Sequence, residues 1–268
     1  MLLDWESWWA LELDSKPSTA VRMLGGVYSF YKPLYEANVA VDFAYPGSDL
    51  SSYRLVIAPN LYLVTDDSVD NILRYVSDGG TLLMSFFSGI VDGRDHIRLG
   101  GYPAPFKDLL GLSMEDFVPM ATGETNHLDT TEGASCDLWA DLIHLQDAEP
   151  VASYTNGFYA GTPAVTRNVY GEGAAYYLGT RPELRYTKAL LQRVCGEAGV
   201  RPAAEVPPGV DAVRRKTEDA SFLFLLNHNN ETVEIRLPNP GRDLITGTEH
   251  DSDLVLDPLE VAVLKESG

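Results

Sequence analysis

The first nine residues combine two carboxylates with three tryptophans, a combination that suits carbohydrate chemistry. Asp4 and Glu6 flank Trp5, and Trp8 and Trp9 follow directly. Two carboxyl groups that face each other across a sugar, about 5 Å or more apart, hydrolyse glycosidic bonds. The alternative is a strand-to-loop junction that packs on a partner domain. We favour this alternative, because three of the four tryptophans of the chain lie here and tryptophan is enriched in buried interfaces.

The sequence offers no clear candidate for a catalytic nucleophile. A class I glutamine amidotransferase places its cysteine in a tight turn after a strand, and the equivalent segment here, Ser85–Gly89, contains no cysteine. We place Cys136 in a loop and Cys195 on the apolar stripe of a helix, where a thiol behaves as a small hydrophobe. The sequence contains no phosphate-binding loop motif and no dinucleotide fingerprint between a strand and a helix.

Metal binding is not predicted either. The histidines are scattered and lack the spacing of metal ligands: His96, His127, His144, His228 and His250. The only two cysteines are far apart, which excludes a cysteine-rich zinc site and a disulfide framework and fits a reducing compartment. We therefore predict no metal and no cofactor.

The charge balance argues against a nucleic-acid partner. The 268 residues carry 20 Lys and Arg against 39 Asp and Glu, a formal net charge of −19, and such an acidic chain repels phosphate. No apolar run reaches the roughly 20 residues of a membrane-spanning helix, and the first residues show no signal-peptide pattern. We expect a soluble, cytoplasmic protein without nucleic-acid or membrane partners.

Short apolar strands alternate with amphipathic helices in the first part of the chain. We predict strands at Leu2 and Leu3, Val39–Tyr45, Leu55–Ala58 and Thr81–Phe86, and helices after Ser18 and at residues 66–78. The first of these strands would lack its first half. The alternation is typical of a doubly wound α/β domain with a mostly parallel sheet.

The middle of the chain has weaker patterns. Residues 88–135 are rich in Gly, Pro, Asp and Thr and are predicted to form long loops with a short helix near residues 105–110. Residues 137–147 are ambiguous. A hairpin is predicted over residues 163–179, with Tyr170–Gly173 as its turn. A helix is predicted at Glu183–Gly199.

A linker rich in proline divides the chain. Arg201–Gly209 is the best linker candidate, and about six short strands without a helix follow it. Short strands spaced by turn residues are typical of a small antiparallel β-sandwich. We therefore predict two domains, residues 1–205 and residues 206–268.

Several longer motifs resemble the glycoside hydrolase family 42 β-galactosidases. Asp4–Glu12, followed by Ser15–Ser18, resembles the start of the middle domain of these enzymes. Phe224–His228 resembles part of their small C-terminal β domain. Further matching segments are Asp42–Phe43, Asp49–Pro59, Gly79–Leu82, Ser88–Asp92, Gly100–Phe106, Gly161–Asn168 and Gly171–Gly179. Taken together, the motifs cover essentially the whole chain.

The resemblance implies the C-terminal portion of a β-galactosidase without its catalytic part. In that family an N-terminal (β/α)8 barrel holds both catalytic glutamates, and nothing in this sequence matches the barrel. The middle domain is the trimerisation domain, an α/β fold like that of class I glutamine amidotransferases or flavodoxins. The resemblance therefore implies no catalytic residue in this chain, a homotrimer, and the enzyme's own barrel as a partner, with galactosides bound only by the parent enzyme.

We predict a non-catalytic assembly and scaffold role, in which residues 1–205 also close part of the sugar cleft. The predicted interface residues form two segments, Trp5, Glu6, Trp8 and Trp9 in the first and Arg94, Asp95 and His96 in the second. A carbohydrate-binding module is an alternative, based on the tryptophan-rich start, although the small β domain contains no tryptophan. An amidotransferase-like hydrolase is disfavoured by the missing cysteine.

Overall fold

The chain folds into two compact units. A computed structural model describes residues 1–131 and 133–267. The first unit comprises Met1–Phe30 and Asp42–Val200, and the second comprises Tyr31–Val41 and the residues from Arg201 onward. Residues 31–41 therefore lie outside the unit in which the sequence pattern places them.

The first unit is an α/β structure. The helices of the described chain are α1 (Trp5–Leu11), α2 (Met23–Glu36), α3 (Asp66–Ser77), α4 (Lys107–Leu110) and α5 (Leu184–Glu197), with a 3-10 turn at Ala104–Phe106. The strands of the first unit are β1 (Leu55–Ala58), β2 (Thr81–Ser85), β3 (Leu112–Pro119), β4 (Thr125–His127), β5 (Ser135–Leu145), β6 (Glu149–Ser153), β7 (Pro163–Tyr170), β8 (Gly173–Leu178) and β9 (Thr180–Pro182). The predicted strands β1 and β2, the hairpin β7–β8 and the helices α3 and α5 are confirmed.

The larger sheet is mixed, so the prediction of a mostly parallel sheet was wrong. Its strand order is β1-β2-β8-β7-β6. β1, β2 and β8 pair in parallel, whereas β8, β7 and β6 pair antiparallel. The reversal follows from the hairpin itself, because the tight turn between β7 and β8, with Gly171 at φ 59°, forces antiparallel pairing.

A second sheet lies where the sequence predicted loops. β5 pairs antiparallel with β3, β4 and β9. β3 and β4 were missed within residues 88–135, and the ambiguous residues 137–147 lie largely in β5. A register shift next to Leu138, whose φ is 70°, interrupts the alternation that identifies a strand. The short helix predicted near residues 105–110 is confirmed.

A helix, α1, begins at Trp5, where the sequence pattern predicted a strand-to-loop junction. The residues predicted as a strand before it make extended backbone bonds, from Leu2 N–H to Ile57 O at 2.7 Å and from Leu3 N–H to Ala44 O at 3.0 Å. Asp4 is the N-cap of α1, and its Oδ1 accepts a hydrogen bond from Glu6 N–H at 3.0 Å. Of the strands predicted at Leu2–Leu3 and Val39–Tyr45, a single parallel bridge between Leu2 and Ala44 is present.

α2 begins later than predicted and continues through a proline. It starts at Met23, whereas the sequence pattern places its N-cap at Ser18. Pro33 lies within its last turn, where the Pro33 carbonyl accepts a hydrogen bond from Ala37 N–H at 3.1 Å. Pro33 has no N–H to donate to the carbonyl one turn earlier, so α2 continues through it with one backbone hydrogen bond fewer.

The core of the first unit lies between the larger sheet and α3. Val56 of β1 and Leu82 of β2 are buried against the α3 stripe that includes Ile72 and Val76. Thr65 caps α3 by accepting a hydrogen bond from Ser68 N–H at 3.3 Å. The carboxyl ends of β1 and β2 lead into residues 59–64 and 86–91, which position the surface described below.

The second unit is an antiparallel β domain. Its strands are β10 (Val210–Lys216), β11 (Ser221–Asn227), β12 (Val233–Arg236), β13 (Gly241–Asp243), β14 (Glu249–His250), β15 (Asp253–Leu256) and β16 (Val261–Glu266). They form the sheets β10-β11-β16-β13-β14 and β12-β15, whose inner faces share one apolar core. Asn38 belongs to this unit, because its Oδ1 accepts a hydrogen bond from Ala212 N–H at 2.6 Å.

Candidate interface surface

α1 turns two tryptophans outward while its inner face anchors it. The inner face is buried and consists of Ser7, Ala10 and Leu11. Ser7 Oγ accepts a hydrogen bond from Leu63 N–H at 3.2 Å. Trp5 and Trp9, which are 59% and 66% exposed, lie four residues apart and therefore on one face. α1 is thus apolar on both sides, which is typical of a helix that is covered on both sides.

Trp8 holds the end of α1 in place. Its ring stacks on that of Trp5, with centroids 5.2 Å apart and an interplanar angle of 11°. Its Nε1–H donates to Glu12 Oε1 at 2.9 Å. The other oxygen of Glu12 accepts a hydrogen bond from Arg22 Nη1 at 3.0 Å. Trp8, which is half-buried, therefore helps to orient the exposed ring of Trp5.

The second predicted segment lies on an exposed, self-supported loop. Asp92 Oδ1 accepts hydrogen bonds from Arg94 N–H at 2.8 Å and from His96 N–H at 3.0 Å. Both bonds lower the pKa of the Asp92 carboxyl, and the bond from His96 has the larger effect. Arg94, Asp95 and His96 are exposed. Arg98 ends the loop by donating to Val64 O at 2.7 Å.

Lys16 connects the two predicted segments. Its Nζ donates to the Tyr62 hydroxyl at 2.6 Å and lies 4.0 Å from the centroid of the Tyr62 ring. The same Nζ is 3.9 Å from Asp95 Oδ1. Burial lowers the pKa of Lys16, and the charge of Asp95 opposes that shift. Burial also raises the pKa of Tyr62 to about 12, so its hydroxyl stays protonated.

Residues 61–64 are the common support of both segments. Leu63 holds α1 through Ser7, whereas Val64 N–H donates to Val91 O at 3.2 Å at the start of the loop. Tyr62 lies between these contacts and binds Lys16. The structure therefore brings the predicted segments to neighbouring places on the first unit. Sequence reasoning missed Lys16 and Tyr62, although Lys16 lies in one of the motifs that resemble the enzyme family.

The acidic pair at the chain start does not form two opposed carboxylates. Asp4 is buried, and its carboxylate caps α1. Burial raises the pKa of Asp4, and the hydrogen bonds of the cap partly reverse the shift. Glu6 lies two residues further on and is exposed. One carboxylate is thus engaged in helix capping, and the other faces solvent.

The turn after β2 contains a buried aromatic residue with left-handed backbone. Phe87 adopts φ 57° and is buried. Its ring packs on Trp139 and Tyr62, with centroids 4.7 Å and 5.0 Å away. The Ser88 hydroxyl donates to Ser85 O at 2.8 Å and accepts from Leu61 N–H at 2.9 Å. The ring of Phe87 therefore fills this turn, and the Ser88 hydroxyl both donates and accepts a hydrogen bond within the chain.

The cysteines are buried and weakly acidic. Burial raises the pKa of Cys195 to about 11 and also raises that of Cys136. Because the thiolate is the reactive form, neither residue is prepared for nucleophilic attack at neutral pH. Cys136 lies in β5, although the sequence pattern places it in a loop. Within residues 1–131 and 133–267, His, Cys, Asp and Glu form no group of three or more suited to a metal ion.

Asp141 is a buried carboxyl that sequence reasoning did not single out. It is 1% exposed, and it accepts hydrogen bonds from Trp139 Nε1–H and from the Tyr177 hydroxyl, both at 2.7 Å. Burial raises the pKa of Asp141 to about 7, although both hydrogen bonds oppose the shift. A lone acid between apolar residues of Leu138–Leu145 was the available signal.

Comparison with known proteins identifies the family of the chain. The family model described as "Beta-galactosidase trimerisation domain" matches residues 1–201. The chain belongs to this family. The model described as "Beta-galactosidase C-terminal domain" matches residues 209–266. The resemblance to the glycoside hydrolase family 42 enzymes is thereby confirmed: a trimerisation domain is followed by their C-terminal domain.

The curated relatives that match this chain are longer than it is. β-Galactosidase BgaB of Geobacillus sp. (strain Y412MC61) is 42% identical over 270 residues, which cover 99% of this chain and 40% of the relative. β-Galactosidase LacZ of Heyndrickxia coagulans is 40% identical over 266 residues, with coverages of 99% and 40%. The chain spans about 40% of the length of the curated relatives it matches.

Solved structures of β-galactosidases have the same fold. The crystal structure of the enzyme from Bacillus circulans sp. alkalophilus has a TM-score of 0.94 at 34% identity, covering 99% of this chain and 41% of that one. The enzyme from Rahnella sp. R3 has a TM-score of 0.88 at 30% identity, with coverages of 99% and 40%. Among the described residues, no helix is long and apolar enough to cross a membrane.

Proposed function

We propose that this chain is the assembly and scaffold region of a retaining β-galactosidase, and that it forms a homotrimer. The match of the trimerisation-domain model to residues 1–201 carries this proposal. In the longer enzyme, hydrolysis of terminal β-galactosides takes place in the (β/α)8 barrel that the sequence resemblance implies. The barrel is then a partner of this region, and no residue of the chain performs the chemistry.

The described residues support a non-catalytic role. Asp4 is engaged as a helix cap, Phe87 fills the turn after β2, and burial keeps the thiol of Cys195 protonated. We propose residues 1–205 as the assembly domain and residues 206–268 as a stabilising β domain. Two free, buried cysteines are consistent with the reducing cytoplasm that we propose as the location.

We further propose that the first unit is related to the class I glutamine amidotransferases. The left-handed backbone of Phe87, two residues after the parallel strand β2, supports this relation, because a turn after a strand is where those enzymes hold their cysteine. In this chain the position holds an apolar ring, so the related fold is used without the related chemistry.

Two measurements on the 268-residue chain test the proposed function. A chromogenic β-galactoside should be turned over no faster by the chain than by buffer. Analytical ultracentrifugation should give three times the mass of one chain. Robust turnover that a point mutation within the chain abolishes would overturn the non-catalytic role. A monomer across the accessible concentration range would overturn the assembly role.

A carbohydrate-binding module is the second candidate, because Trp5 and Trp9 are exposed near one another. Exposed tryptophan rings stack on sugars in such modules. Calorimetric titration with galactose or lactose distinguishes the candidates. A saturating isotherm that Trp9→Ala abolishes would favour sugar binding, whereas the assembly role predicts no heat beyond dilution.

A further inference from the structure

Two exposed apolar surfaces of the first unit differ in charge. The tryptophan face consists of the exposed α1 residues Trp5, Glu6 and Trp9. The arginine loop, residues 94–99, contains Ile97 and Leu99, which are 61% and 91% exposed. Leu99 is an apolar side chain almost entirely in water. Both surfaces therefore expose apolar area that contact with a partner would bury favourably.

Each surface has one charged side chain for which the described part of the chain provides no ion pair. Across residues 1–131 and 133–267, neither Glu6 nor Arg94 has an oppositely charged group within the 4.0 Å of a salt bridge; such pairs in that part of the chain include Lys16–Asp95 and Arg98–Asp66. Glu6 and Arg94 are both exposed. Their opposite charges would attract each other across a contact between two copies of the chain.

We propose that the tryptophan face of one copy docks on the arginine loop of the next copy, with Glu6 opposite Arg94. This proposal rests on the proposed assembly function and names its contact. A cyclic trimer needs a heterologous interface, in which one patch meets a different patch of the neighbour. The two surfaces lie in different segments and carry charges of opposite sign that are unpaired among the described residues, so they can serve as the two patches of such an interface.

Lys16 fixes the position of one patch relative to the other, which such a ring requires. A heterologous contact closes into a ring only when the angle between the two patches is fixed. The contacts of Lys16 with Tyr62 and Asp95 fix the residues after α1 relative to the arginine loop. Lys16 is therefore a positioning residue of the proposed contact and touches no partner itself.

Charge reversal tests the pairing in the 268-residue chain. Glu6→Arg and Arg94→Glu should each raise the dissociation constant of the trimer by about tenfold or more, because each places like charges together. The double variant should restore most of the lost affinity. Glu218→Arg and Arg215→Glu are the matched controls, because they make the same charge changes at exposed positions of the second unit. Sedimentation equilibrium measures assembly, and circular dichroism melting verifies that each variant folds.

The outcomes separate this contact from the proposed function. Weakening by both single variants with rescue by the double variant supports the pairing. A wild-type trimer that neither reversal affects, or single losses without rescue, overturns the pairing and leaves the assembly role intact. In that case another occupant, such as the remainder of a longer polypeptide, covers the two surfaces. A wild-type monomer overturns the proposed function itself.

Discussion

Lys16 Nζ lies 3.9 Å from Asp95 Oδ1, although the two residues are far apart in the sequence. The lysine side chain is 7% exposed, and Tyr62 accepts its hydrogen bond at 2.6 Å. A buried ammonium with these partners is costly to leave unpaired. The pair therefore fixes the position of the residues after α1 relative to the loop that contains Asp95.

Replacing Lys16 should weaken assembly more than folding. Lys16→Met keeps the apolar stem but removes the bonds to Tyr62 and Asp95, so the arginine loop loses its fixed position. We expect the trimer dissociation constant to rise about tenfold, and the free energy of unfolding to fall by about 1 kcal/mol. Sedimentation equilibrium and urea unfolding measure the two effects. Lys216→Met, at an exposed position of the second unit, is the control. A variant that assembles like wild type would contradict the positioning role.

Trp9 should contribute to assembly and not to the stability of one copy. Its ring is 66% exposed, so truncation leaves no cavity within the chain. Tryptophans at the centre of interfaces often contribute about 2 kcal/mol or more to binding. Trp9→Ala should therefore raise the dissociation constant at least about tenfold with an unchanged melting temperature. Leu259→Ala, at a residue of the second unit that is 67% exposed, should change neither.

Asp141 should make the first unit less stable as the pH rises. Its folded pKa of about 7 lies above the ordinary value of 3.8, so the folded chain holds a proton that the unfolded chain has lost. The stabilisation is complete below about pH 4 and is lost as the pH rises towards 7, by at most about 1.4 kcal/mol per pH unit. The titratable groups that interact with Asp141 include Tyr177 and Tyr154, and burial raises the pKa of both, so neither ionises in this range.

Asp141→Asn isolates this effect. The amide keeps the shape but removes the titration, so the loss of stability between pH 5 and pH 8 should shrink. Tryptophan fluorescence during urea unfolding reports on the first unit, because Trp5, Trp8, Trp9 and Trp139 all belong to it. Asp70→Asn, at an exposed acid of α3, should leave the pH profile unchanged. Equal pH profiles for Asp141→Asn and wild type would refute the assignment.

A side chain at Gly171 should lower the stability of the fold more than a side chain at Gly123. At φ 59° it lies in the left-handed region, and a Cβ atom there would be 2.6 Å from Ser77 O. Gly123 has φ 85°, but no atom lies within 4 Å of the place that a Cβ atom would take. Gly123→Ala should cost about 1 kcal/mol from backbone strain alone. Gly171→Ala should cost about 3 kcal/mol because backbone atoms must also move. Equal losses in urea unfolding would show that the contact with Ser77 is unimportant.

Local patterns predicted the elements that follow a simple period. Val69, Ile72 and Val76 recur at helical spacing, and α3 forms where they lie, with Thr65 as its cap. The helix α1 was missed because Trp5–Leu11 is short and was interpreted as a strand-to-loop junction. The capping signal of Asp4, which was present, marks its start.

The remaining errors come from features that no local window contains. β5 was ambiguous because Leu138 breaks its register and Asp141 interrupts its apolar face. Asp141 is stabilised there by Tyr177 of β8, which lies far away in sequence. The contact of Lys16 with Asp95 is equally non-local, so the sequence indicated both interface segments but not the residue that joins them.

Sedimentation equilibrium of the 268-residue chain at several concentrations tests the proposed assembly role most directly. We expect a single associating species whose limiting mass is three times that of one chain, and dissociation when Glu6 or Arg94 is reversed in charge. A mass equal to one chain at every concentration would contradict the assembly role.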